Sequence, residues 1–105
     1  MKIEILGTEY EIIKDEELEE MDGCCDKTVK KINICKTLQT QPESKNSVKD
    51  IKWQADKVLR HEIIHAFMFE GGLAENHDRI HNEQVVDWIA LMYPKMKKVF
   101  DQLEI

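Results

Sequence analysis

The chain has 105 residues, of which 42% are hydrophobic and 34% charged, with a formal net charge of −6 at pH 7. That length fits one domain, residues 1–105, with a core built at little surplus. Acids gather in Glu9 to Glu20 and bases in Lys27 to Lys36; no broad basic surface is implied, which argues against nucleic acid or an anionic membrane as partner.

In chain order, residues 2–6 and 9–14 read as strands, because Ile3 and Ile5 alternate with Lys2 and Glu4 and Gly7-Thr8 suits a hairpin turn. The same charges break up the apolar start, which does not read as a secretory leader, and no run approaches a membrane span. Residues 15–22 are too acidic to bury and form either a loop or a short exposed helix. Gly23 to Lys27 reads as a turn. Val29 to Cys35 alternates again as a third strand, and its lysines suggest a sheet edge. Cys24, Cys25 and Cys35 are odd in number and lack CxxC spacing, so reduced thiols in a cytoplasmic compartment are a better account than a disulfide framework or a thiolate metal site.

Thr40 to Asn46 carries Pro42 and reads as a loop. Ser47-Val48-Lys49-Asp50 resembles a capping box. Apolar residues then recur at helical spacing through Ile51, Ala55, Val58, Leu59, Ile63, Ala66 and Phe67, until Gly71-Gly72 stops the helix. A second helix is expected from about Ile80 to Met92, ending near Pro94, with a short helical turn or two over 95–103. Three strands followed by helices make an α+β pattern: a small three-stranded N-terminal sheet packed on the first helix and on the second.

Within the first helix, His61-Glu62-Ile63-Ile64-His65 is an HExxH sequence. Residues four apart lie one turn above each other, so both imidazoles face a single ion, and Glu62 projects beside them as a general base for water. The bland account is two unrelated histidines on a core helix. A catalytic zinc site takes three protein ligands and keeps one position open. The second helix offers the third in Glu83, and residues 66–82 suffice for a glycine turn, a loop and the start of an antiparallel helix. Asp87, one turn on, can reach the outer nitrogen of a ligand histidine.

HExxH followed by NExxxD, here Asn82-Glu83 to Asp87, resembles the gluzincin (thermolysin-like) metallopeptidases. At this length the chain resembles their minimal, single-domain members and also small metallopeptidase-like proteins encoded by phages of Gram-positive bacteria. The likeness spans Val48 to about Met92. It implies zinc held by His61, His65 and Glu83, Glu62 as general base, Asp87 behind His61, and an edge strand lining the cleft above the active-site helix. The implied activity is hydrolysis of a peptide or protein substrate; the strand around Lys30 to Lys36 is expected to hold it, with the lysines favouring acidic sequences. One departure stands out. Larger members place a histidine well downstream of the glutamate helix, whereas this chain has none after His81. The substitute must be His77, His81 or Tyr93, and His77 is taken as the catalytic candidate. Trp53 and Trp88 are expected in the core, and Met68-Phe69 in packing. The competing account is a non-catalytic or narrowly specific regulatory zinc domain that binds a protein partner; keeping Glu62, which a structural site does not need, counts against it.

Overall fold

A computed structural model describes residues 1–16, 22–35, 51–73 and 81–105. The class is α+β, with four strands instead of three: β1 (Lys2–Ile5), β2 (Thr8–Glu16), β3 (Gly23–Asp26) and β4 (Lys31–Cys35), followed by α1 (Ile51–Glu70) and α2 (Glu83–Leu103). The loop around Pro42 and the capping box at Ser47 to Asp50 lie outside the described residues.

Strand order is β1-β2-β4-β3. The hairpin joining β1 and β2 turns at Leu6-Gly7, and Ile5 pairs with Thr8. β2 continues to Glu16, into the stretch expected to leave the sheet. Gly23 to Asp26 is a strand and not a turn. The chain reverses after it, where the Asp26 carboxylate accepts the Thr28 backbone N–H at 2.9 Å. β4 is likewise not an edge, since it pairs in parallel with β2 and antiparallel with β3. Its lysine is explained by register: Lys31 lies between Glu11 on β2 and Asp26 on β3, so opposite charges on both neighbours stabilise it inside the sheet.

One face of the sheet contributes Ile5, Tyr10, Ile12, Ile32 and Ile34 to the core, and α1 covers them with Val58 and Ala66, flanked by Ala55, Leu59 and Ile63. Fully buried aliphatic side chains of this kind stabilise by about 1.5–3 kcal/mol each. β3 approaches α1 most closely at Gly23. A Cβ there would stand 2.9 Å from Val58 Cγ1 and 3.3 Å from Glu62 Cγ, so glycine sets the spacing between sheet and helix.

α1 ends as expected at the glycines. Leu73 N–H donates to Met68 C=O at 2.9 Å and Gly72 N–H to Phe69 C=O at 3.3 Å, a Schellman closure that needs the positive φ of Gly72. Glu70, in the last turn, accepts from Tyr10 Oη at 2.7 Å, Lys30 Nζ at 2.8 Å and Thr8 Oγ1 at 3.1 Å, tying that end of α1 to β2.

α2 packs chiefly on α1 through the small buried residues Val86 and Ala90. It does not stop near Pro94 but runs unbroken to Leu103. A proline cannot donate to the carbonyl four residues back, here Ala90. Arg60 on α1 supplies the missing donor, its Nε reaching Ala90 C=O at 2.8 Å. Trp53 and Trp88 are 48% and 55% exposed and are not core, because each lies off the stripe its helix buries; Phe67 is exposed for the same reason. Met68 is buried as expected. No helix among the described residues is long and apolar enough to cross a membrane.

Candidate metal centre

Three turns of α1 carry the site. Lys57, His61 and His65 recur every four residues and so form one stripe, and α2 answers with Glu83 and Asp87, also four apart. Asn82 starts α2: its side-chain oxygen accepts Val85 N–H at 3.0 Å and its C=O accepts Val86 N–H at 3.0 Å. This N-cap fixes the direction in which Glu83 leaves the first turn.

The expected ligands meet. His61 Nε2 lies 3.2 Å from His65 Nε2. The Glu83 carboxylate spans the pair, Oε2 at 2.9 Å from His61 Nε2 and Oε1 at 2.9 Å from His65 Nε2. His61, His65 and Glu83 form the sole group of at least three potential ligand side chains converging in this way among the described residues. Two imidazole nitrogens and a carboxylate oxygen at such mutual spacing suit a small tetrahedral cation such as zinc. Both histidines are largely buried, whereas Glu83 is exposed. Burial is the main cause lowering the His65 pKa, and neutral imidazole is the form that binds metal.

Asp87 stands where expected, Oδ1 at 3.4 Å from His61 Nδ1. It also holds Lys57, whose Nζ is 3.1 Å from Oδ1. The hydrogen bond from Lys57, with help from His61, keeps the Asp87 carboxyl below the usual range, so it remains an anion that can accept from the histidine. Lys57 was not singled out from sequence, although its place four residues before His61 puts it on the ligand stripe.

Glu62 is the only buried charged side chain among the described residues, at 6% exposure. Burial, reinforced by the negative charge of Glu83 and opposed by His61, pushes its pKa up to about 7. With His61, Glu83 and Asp87 it lines a cleft of about 290 Å³, closed on the sheet side by Asp22 and Gly23 and extended along α1 by Gln54, Lys57 and Val58.

The residues expected to replace the downstream histidine fare differently. His77 lies outside the described residues. Tyr93 is not at the cleft: it lines a separate apolar groove with Ile63, Ile64 and Ile89. His81 faces His65 and does not line the cleft, its Nε2 lying 2.5 Å from His65 Nδ1. All three cysteines are free thiols; burial pushes Cys25 up to about 12, far from a reactive thiolate. Compared with known proteins, the chain matches no family model, and no curated protein or solved structure matches it significantly.

Proposed function

We propose that the protein is a zinc-dependent endopeptidase of minimal gluzincin type. The observation that carries this reading is the convergence of His61 Nε2, His65 Nε2 and the Glu83 carboxylate within 2.9–3.2 Å, beside a buried glutamate that is not one of the three. A site serving structure alone has no use for a buried acid next to it. The spacing HExxH and NExxxD supports the same assignment.

His61, His65 and Glu83 would hold the zinc, which would supply Lewis acidity toward a substrate carbonyl and water. Glu62 performs the proton transfers. Burial raises its carboxyl pKa in the metal-free protein and a cation beside it would draw it back down, so the group can accept a proton from water and return it to the departing amine. Burial against β3 keeps the carboxylate in place, and the cleft gives it access to the reacting groups.

The substrate chain lies along β3 and not along β4. Both sides of β4 are paired, whereas β3 has one strand partner among the described residues and its start at Gly23 lines the cleft. An extended peptide gains main-chain hydrogen bonds by adding to such an edge. The preference for acidic sequences loses its basis in Lys30, which is held by Glu70 at 2.8 Å.

The test compares zinc-loaded wild type with zinc-loaded Glu62→Gln on a broad peptide library, with a chelator control. Wild type is expected to cleave, and the variant to retain zinc while cleaving about a hundred- to ten-thousandfold more slowly. Equal rates would remove Glu62 from the chemistry. Tight zinc binding by wild type with no cleavage would favour a regulatory domain that binds a protein partner.

A further inference from the structure

Each ligand histidine has a second ring nitrogen that must go somewhere. A neutral imidazole carries one N–H, so an Nε2 that offers its lone pair to a cation leaves the proton on Nδ1, and an acceptor there fixes both tautomer and ring orientation. For His61 that acceptor is Asp87. For His65 no carboxylate among the described residues plays the part; the ring nitrogen beside its Nδ1 is that of His81.

We infer that His81 is the positioning residue for His65: its Nε2 accepts the Nδ1–H of His65 and turns the His65 Nε2 lone pair toward the metal. The 2.5 Å separation of His65 Nδ1 and His81 Nε2 leaves room for one proton between them. The contact of His65 Nε2 with Glu83 and His61 shows which nitrogen faces the ligand cluster. His81 must then carry its own proton on Nδ1. Phe69 holds the pair of rings. It stacks on His65 at 6.1 Å between centroids with planes 19° apart, and meets His81 edge-on at 5.0 Å and 66°. Chain connectivity adds a reason for the placement. His81 and Glu83 flank the N-cap Asn82, so one turn of backbone delivers a metal ligand to one side of His65 and its orienting partner to the other. The two histidines are therefore backed unequally, His61 by an anion and His65 by a neutral ring.

This inference rests on the metal reading, and zinc titration of the full-length protein separates the two. Affinities of wild type, His81→Ala, His81→Gln and His81→Asn are measured by competition with a chromophoric chelator. His81→Ala is expected to bind zinc about ten- to a hundredfold more weakly. Gln carries an amide oxygen about as far from the backbone as Nε2 and should recover most of the loss; Asn, one carbon shorter, should not. Long-range proton–nitrogen NMR of the zinc-loaded proteins supplies a readout that general destabilisation does not move. Wild type and His81→Gln should show His65 protonated on Nδ1 with a downfield, hydrogen-bonded proton, and His81→Ala should lose that downfield proton. Should His81→Ala fail to fold, the wild-type and Gln spectra still decide. An affinity of His81→Ala equal to wild type, or a wild-type spectrum with no such proton, overturns the inference and leaves the three ligands untouched. Failure of wild type to bind zinc overturns both.

Discussion

Glu62 sits where ionisation is disfavoured, and this has a measurable consequence before any substrate is present. Its folded pKa, about 7, lies above the ordinary 4.5, so its contribution to stability is complete below about pH 4.5 and is lost as pH rises through about 7. Glutamine mimics the protonated acid at every pH. Metal-free Glu62→Gln should therefore match wild type near pH 4 and exceed it near pH 8 by roughly 1–3 kcal/mol in urea unfolding. Zinc should shrink the gap, because a cation beside the carboxylate favours its ionised form. A wild type as stable as the variant at pH 8 would mean that Glu62 is better solvated than its burial indicates. Asp87 makes the second prediction at this scale. Asp87→Ala leaves three ligands in place yet should weaken zinc about ten- to a hundredfold by calorimetric titration; unchanged affinity would reduce Asp87 to a partner for Lys57. Periodicity puts His61 with His65 on one helix face and Glu83 with Asp87 on another; that the two pairs face each other with Glu62 beside them was legible only through the resemblance of HExxH and NExxxD to the gluzincins. The His81–His65 contact was not, since it depends on how a loop enters α2, which spacing does not encode.

At the scale of elements, the long helix α2 depends on a contact between helices. Pro94 leaves Ala90 C=O without its own donor, and Arg60 fills the position at 2.8 Å. Ala90 is fully buried, so losing the bond strands an acceptor away from water, at a cost of about 1–3 kcal/mol. Arg60→Ala should destabilise by that amount in denaturant melts. The penalty should shrink in a Pro94→Ala background, where residue 94 regains an N–H for the same carbonyl. Additive effects in this double-mutant cycle would show that Arg60 acts elsewhere. The break expected at Pro94 was thus a sound local inference that a tertiary donor overrides. β3 escaped notice for a different reason. Gly23-Cys24-Cys25-Asp26 has little strand propensity, and its place is set by close approach to α1 and by pairing with β4. The edge assigned to β4 failed because lysine marks an edge only when no acid faces it, and Glu11 and Asp26 both face Lys31.

Across the whole molecule, sheet and α1 form the core, while α2 adheres to α1 through Val86, Ala90, the Arg60 bond and the Lys57–Asp87 pair. The proposed ligand set spans this junction, with two donors on α1 and one on α2, so metal binding there would be linked to the attachment of α2. The same ion that would serve the chemistry would also staple the helices. X-ray absorption at the zinc edge, on protein loaded to saturation, tests this centre most directly. One zinc per chain is predicted, in a shell of nitrogen and oxygen at about 2.0 Å that includes two imidazoles. A sulfur shell at about 2.3 Å would place the metal on the cysteines, and a single imidazole or none would contradict the joint role of His61 and His65.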